Sequence, residues 1–217
     1  MCNLLEELVG WLINLDTLVD LSAIGTFILA CFALRVWRKQ EKSKRTVELF
    51  DKLTDAIHAC VHSISHPIQK LEFIYIGIDS CQYDQNIDRT LEFPEAICFI
   101  EKGGRDRAKE LFEALQACRE SSFVIRSLIT KGQVMNIKNF AECYDACQLI
   151  AWQYDRLQAF AGMLGMRNTN WQNQEVIDRL RDILDITPDS IRGYLDKNQT
   201  IYLNYVKDTY TNEYGRA

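Results

Sequence analysis

Three histidines, the only ones in the chain, lie four residues apart at His58, His62 and His66. This spacing places the three imidazoles along one face of a helix. Two neutral imidazoles at i and i+4 can share a zinc ion, and a third would strengthen the site. Pro67 is expected to end the helix beside His66. A solvated or partner-facing polar stripe is therefore favoured over a metal site or a proton-sensitive switch, and we predict no metal.

A second candidate site is the cysteine pair Cys143 and Cys147, which also shares one face of a helix. Structural zinc sites usually combine such a pair with a second pair of ligands downstream, and none follows here. We therefore expect both thiols to pack in a core as small apolar groups.

Catalytic motifs are weak throughout the sequence. The stretch EKGGRDRAKE (101–110) has the glycines and arginines of a phosphate-binding turn, but it lacks both glycine-rich nucleotide signatures. A turn that leads into a helix is the favoured interpretation, with nucleotide binding as the alternative. The serines lack a nucleophile elbow, and all histidines fall in one short segment. We therefore predict no enzyme activity and no cofactor.

The strongest signal is an uncharged run of fourteen residues, LSAIGTFILACFAL, between Asp20 and Arg35. Its flanks extend it to residues 17–37, which meets the length of about 20 residues that a spanning helix needs. A buried core helix is the alternative, but core helices usually keep a polar stripe. We therefore predict a transmembrane helix at 17–37. Its small residues and its outer carboxylate predict helix association in the bilayer; these residues are Asp20, Ser22, Gly25, Thr26 and Ala30.

Charge changes sign across this predicted span. Residues 1–34 contain four acidic residues and no Lys or Arg, whereas residues 35–45 contain six basic residues and one acidic residue. The basic residues are Arg35, Arg38, Lys39, Lys42, Lys44 and Arg45. By the positive-inside rule, we expect the N-terminus to lie outside and the C-terminus to lie in the cytoplasm. No basic region precedes the apolar run, so we expect an anchor that is retained.

The acidic balance and the cysteines fit this placement. A net charge of −5 and a pI near 5.3 disfavour direct nucleic-acid binding. Cys31 falls inside the predicted span, and Cys2, on the oxidising side, could at most link two protomers. The other six cysteines fall in the predicted cytoplasmic part, where thiols stay reduced.

Few Gly and Pro residues and helical apolar spacing predict a mainly α fold, in which one N-terminal transmembrane helix continues into a cytoplasmic helical bundle. The predicted regions are an N-terminal amphipathic segment (1–16), the span (17–37), a basic juxtamembrane stalk (38–66) and a helical domain (67–217). Segment 1–16 could lie on the outer leaflet, extend the span or pack against a second copy.

Within the helical domain, residues 67–103 are expected to form a loop with short strands at 73–78 and 96–100. Helices are expected over 105–130, 138–164, 173–184 and 188–212. The last of these opens with Thr187-Pro188, a typical N-cap followed by proline at the first helical position. Tyrosines recur along that helix, at positions suited to a core or an interface; they are Tyr194, Tyr202, Tyr205 and Tyr210.

The run IGTFILACFALRVWRKQEKSKRTVELFDKL joins an apolar segment, a Trp-Arg-Lys cluster and the start of an amphipathic helix. In this arrangement residues 17–55 resemble bacterial single-pass proteins with an uncleaved anchor before a small helical cytoplasmic domain. Among these they look most like the membrane effectors associated with retron reverse transcriptases and similar phage-defence systems. The resemblance implies a protein that a cytoplasmic protein or ribonucleoprotein sensor releases on infection, and that then perturbs the inner membrane. It carries over no functional residue.

Two functions follow from these patterns. The first is a toxin-like membrane effector of antiviral defence whose anchor self-associates and whose bundle is regulatory. The second is a membrane-tethered binding or scaffold protein with a helical interaction domain and no activity in the bilayer.

Overall fold

The computed structural model describes the backbone of residues 2–214 and the side chains of residue 22 and residues 24–211. It is mainly α, as predicted, with no strand among the described residues. The helices are α1 (Cys2–Ser80), α2 (Pro94–Phe99), α3 (Arg105–Val134), α4 (Phe140–Leu164), α5 (Gln174–Leu184) and α6 (Pro188–Tyr214). A short 3-10 turn (Cys81–Tyr83) follows α1, and a π-helical turn (Ile100–Gly104) joins α2 to α3.

The chain divides into two compact units within α1. One unit ends at Val47 and the other begins at Glu48. The second unit contains the hydrophobic core, which is built from the buried faces of α1 and of every later helix. The first unit is described below with the candidate site.

Helix α1 continues through Pro67, which contradicts the expectation that this proline ends the helix. A proline inside a helix removes one backbone hydrogen bond and costs about 3 kcal/mol. Ile64, Ile68 and Leu71 on either side of it are at most 3 % exposed. Burying each such side chain contributes about 1.5–3 kcal/mol, so their packing outweighs the proline.

The strands expected at 73–78 and 96–100 are wrong. The first segment belongs to α1, where Ile74 and Ile78 are buried while Ile76 is 63 % exposed, a helical spacing. The second forms α2 and the start of the π-helical turn. Of the loop expected over 67–103, only the stretch between Tyr83 and Pro94 lacks a helix. Short runs of β-branched residues indicate strands only weakly, and burial on one helical face decided the outcome.

The four later helices were predicted within a few residues. Helix α4 packs against α3, α5 and α6. The predicted cap of α6 is confirmed, because Thr187 Oγ1 accepts a hydrogen bond from the backbone N–H of Ser190 at 3.1 Å. Asn173 caps α5 in the same way through the N–H of Glu175 at 3.0 Å.

Candidate functional site

The apolar part of the first unit is exposed around the whole circumference of α1. Large side chains from Ile24 to Trp37 are about half exposed or more, among them Phe27 and Leu29 at 70 % each. At 100° per residue these positions surround the helix and leave no polar stripe. A helix that is apolar all round is typical of a buried or membrane environment, since water does not favour it.

The predicted small-residue face lies within this segment. Thr26 Oγ1 donates to the carbonyl oxygen of Ser22 at 2.8 Å, which satisfies the hydroxyl within the helix. No described atom outside the adjacent turns of the helix lies within 4 Å of the Cβ position on Gly25, and Ala30 is exposed. The surface is thus open to close approach by a neighbouring helix. Asp20 lies outside the described side chains, as do residues 1–16.

The basic residues that follow are all exposed. Arg45 Nε donates to Glu41 Oε1 at 2.9 Å within the helix. The other five have no ion pair with any residue of the described part of the chain; they are Arg35, Arg38, Lys39, Lys42 and Lys44. Their charges therefore remain available to an anionic surface.

Among the residues that the structure describes, no helix is long and apolar enough to cross a membrane. The side chains of residues 17–21 and 23, at the outer end of the predicted span, lie outside those residues.

The histidine stripe of α1 is placed as its spacing predicts. His58, His62 and His66 are exposed, and none has a hydrogen bond or an ion pair with another described residue. Nowhere in the described side chains are three or more Asp, Glu, His or Cys residues grouped to hold a metal ion.

The seven described cysteines are free thiols. Cys143 and Cys147 are fully buried in α4, where their mutual hydrogen bond and burial raise the pKa of Cys147. Burial likewise raises the pKa of Cys60 to about 11. The Cys143–Cys147 pair packs in the core, as predicted, and is shielded from solvent.

Of the glycines at 103–104, only Gly104 serves helix packing. They lie in the π-helical turn of an otherwise continuous helical stretch, so the turn expected to lead into a helix is not formed. A Cβ on Gly104 would lie 2.4 Å from the carbonyl oxygen of Leu164, whereas one on Gly103 would meet nothing within 4 Å. Gly104 therefore permits close contact with the end of α4.

The tyrosines of α6 join helices that are distant in sequence. Tyr202 is fully buried, donates to the carbonyl oxygen of Phe50 at 3.0 Å and shares a 2.7 Å hydrogen bond with Thr54. Tyr205 donates to the carbonyl oxygen of Lys138 at 2.9 Å, and Tyr210 donates to Asp51 Oδ1 at 3.1 Å. Three of the four tyrosines singled out from the sequence therefore have a structural role.

The fourth tyrosine forms a surface cluster that sequence reasoning missed. The guanidinium of Arg156 lies 5.2 Å from the ring centroids of both Trp152 and Tyr194. Partial burial between the rings lowers the pKa of Arg156. The i, i+4 spacing of Trp152 and Arg156 could have indicated half of this cluster, but Tyr194 comes from α6 and only the fold brings it there.

A polar groove between α3 and α4 was also not predicted. Its volume is about 740 Å³, and Arg126, Ser122 and Asp155 line it. Arg126 pairs with Asp155 and donates to the carbonyl oxygen of Ala151 at 3.2 Å. The guanidinium is thus held in place between the two helices.

Comparison of the chain with protein-family models, curated proteins and solved structures gives no match.

Proposed function

We propose that the protein is a membrane-anchored effector of a bacterial antiviral defence system, which perturbs the inner membrane when a cytoplasmic sensor releases or activates it. The observation that carries the proposal is the exposed apolar segment of α1, followed directly by six basic residues, five of which have no ion pair with any described residue. The defence context rests on the resemblance of residues 17–55 to effectors of this kind.

The features that support a membrane anchor all lie in the first unit. Exposing side chains such as Phe27, Leu29 and Phe32 to water costs about 25 cal/mol per Å² of apolar surface. A bilayer removes that cost on all sides of the helix at once, which a one-sided protein contact does not. Trp37 and Arg38 at the inner end suit the interface and anionic head groups.

The proposed orientation places the unit from Glu48 onward in the cytoplasm, where it would meet the sensor partner. The abrupt change from acidic to basic residues across one segment supports this orientation. A reporter fused after Ala217 should therefore be active only as a cytoplasmic reporter. Activity of a periplasmic reporter at that position would overturn the orientation.

The proposed activity lies in the anchor and requires its self-association. Small residues let helix backbones approach closely in a bilayer, where no hydrophobic drive brings helices together. Gly25 has no neighbour within 4 Å of its Cβ position, so a second copy could approach it. Carboxylates of Asp20 in such an assembly would favour entry of water or ions.

Membrane potential in cells that express the full-length protein without its genomic neighbours tests this proposal. Wild type should depolarise the cells, while Gly25→Leu and Asp20→Leu should do so less. Leu34→Ile is the control, because it keeps both the small residue at position 25 and the carboxylate at position 20. Equal depolarisation by all variants would exclude the proposed face. A harmless wild type would exclude the effector function itself.

A second candidate, a membrane-tethered binding or scaffold protein, is favoured by the surface cluster of Trp152, Arg156 and Tyr194. Aromatic residues and arginine are the types enriched at protein interfaces. A tether should leave the membrane potential unchanged and should retain its partner when Gly25 is replaced. Trp152→Ala should weaken that partner complex, whereas Phe112→Ala, at another half-exposed ring, should not.

A further inference from the structure

We propose that His58, His62 and His66 form a chelating site for one divalent transition-metal ion, such as Zn²⁺ or Ni²⁺, which is bound by either of two adjacent histidine pairs. The proposal rests on the unbroken course of α1 through Pro67 and on the exposure of the three imidazoles. It is independent of any activity in the membrane.

The three histidines lie on one continuous helix. Because α1 runs on to Ser80, His66 has the same helical setting as His58 and His62. Each adjacent pair is separated by about 6 Å along the axis and lies on one face, with Cβ atoms about 5–6 Å apart. Imidazole nitrogens bind Zn²⁺ at about 2.0–2.1 Å, so two side chains of this reach can hold one ion between them.

The geometry also limits the site to two protein ligands at a time. His58 and His66 are about 12 Å apart along the helix, too far to bind the same ion. This agrees with the lack of a three-residue metal group among the described side chains. His62 is therefore common to both pairs, and the ion can occupy only one pair at once.

The three imidazoles are also accessible to a metal ion from solvent. The three imidazoles make no hydrogen bond or ion pair with other described residues, so binding breaks no contact of the fold. The nearest basic side chain along the helix, Lys70, is held by Glu110 at 3.3 Å. Imidazole nitrogen is a suitable ligand for Ni²⁺ and Zn²⁺, and water would complete the coordination.

Titration of the full-length protein in detergent micelles with Ni²⁺ alone tests the site. Wild type should bind one Ni²⁺ per chain. His62→Ala should raise the Kd about tenfold or more, whereas His58→Ala or His66→Ala should raise it only about twofold, because each leaves one pair intact. Gln69→Ala, an exposed residue of the same helix, should leave the Kd unchanged.

Two further measurements test whether lost helix structure or binding by cysteines explains the change in Kd. Far-UV circular dichroism should show the same helix content for His62→Ala as for wild type, since Ala favours helix at an exposed position. With Co²⁺, the near-ultraviolet absorption of thiolate ligation should be absent. A strong thiolate band that persists in His62→Ala would assign the metal to cysteines and overturn the proposal. An effect of His62→Ala no larger than that of His58→Ala would also overturn it, because the imidazoles would then not act in pairs.

Discussion

Leu29 and Leu111 carry the same side chain and both lie in helices, yet Leu29 is 70 % exposed and Leu111 is fully buried. The difference extends to their surroundings. Around Leu111 the other helices supply a packed core, whereas around Leu29 the exposed neighbours are also apolar. The unit from Glu48 onward buries many of its apolar side chains in a shared core, whereas the large apolar side chains of residues 24–37 are exposed.

Ion pairs between separate elements show a similar contrast. In the bundle, Arg126, Arg181 and Arg192 each pair with a carboxylate from another helix or loop. In the first unit, none of the six basic residues after Ile24 has such a partner among the described residues, and Arg45 pairs only with Glu41 of the same helix. An anionic bilayer would supply an apolar interior and negative charge to the apolar and basic groups of this unit that have no partner among the described residues.

The largest expected effect is on membrane attachment. Replacing the five basic residues from position 38 to 45 by Glu should weaken binding to anionic vesicles by about 1 kcal/mol per residue, because attraction becomes repulsion. Vesicle co-flotation of the full-length protein measures this; the residues are Arg38, Lys39, Lys42, Lys44 and Arg45. Thermal unfolding of the bundle should not change.

A matched control reverses five exposed charges on the bundle instead, at Arg119, Lys131, Arg167, Lys197 and Lys207. This variant should float with vesicles as wild type does. If both variants lose attachment equally, net charge alone governs binding and the basic cluster has no special role.

The second expected effect is on folding. Leu111→Ala should lower the free energy of unfolding by about 2–5 kcal/mol, because it leaves a cavity in the core. Leu29→Ala makes the same change in the first unit and should leave bundle unfolding unchanged. Chemical denaturation of both variants in micelles, followed by circular dichroism, measures the difference. Comparable losses would show that the two units unfold as one.

Much of this contrast could be predicted from the sequence. Helices α3 to α6 carry apolar residues at helical spacing over many turns, and their bounds were predicted within a few residues. Residues 24–37, whose large side chains are exposed, fall within the span predicted from the uncharged run. Long periodic patterns are reliable because one packed face determines them.

The segment between residues 67 and 103 was predicted wrongly because its local signals opposed its packing. Pro67 indicated a helix end and the isoleucine-rich run at 73–78 indicated a strand, but burial of Ile68 and Ile74 keeps the chain helical. Contacts across the fold, such as Tyr194 with Arg156, leave no trace in local spacing. They depend on which helices meet.

A third prediction concerns alkaline pH. Tyr75 donates to the carbonyl oxygen of Leu184 at 2.7 Å, and burial raises the pKa of Tyr75 to about 12. The unfolded phenol ionises near pH 10. The contribution of protonated Tyr75 to the free energy of unfolding is therefore complete below pH 10. About 1–3 kcal/mol of it should be lost as pH rises from 10 to about 12.

Tyr75→Phe removes the ionisable group and should flatten this part of the stability profile. Tyr83→Phe, at a side chain that is 81 % exposed, is the matched control and should keep the wild-type profile. Unfolding by urea at pH 9 and at pH 11.5 provides the comparison. An unchanged pH dependence in Tyr75→Phe would show that other groups cause the alkaline loss.

The smallest expected effect separates two neighbouring glycines of the π-helical turn. An alanine Cβ at Gly104 would lie 2.4 Å from the carbonyl oxygen of Leu164, and that oxygen belongs to backbone at the end of α4. Because a backbone atom moves only with its helix, Gly104→Ala should lower the free energy of unfolding by about 1–2 kcal/mol. Gly103→Ala meets nothing within 4 Å and should be neutral or stabilising by up to about 1 kcal/mol, since alanine favours helix over glycine. Urea midpoints of the two variants measure the difference. Equal midpoints would show that the close contact with α4 is not the reason for glycine at position 104.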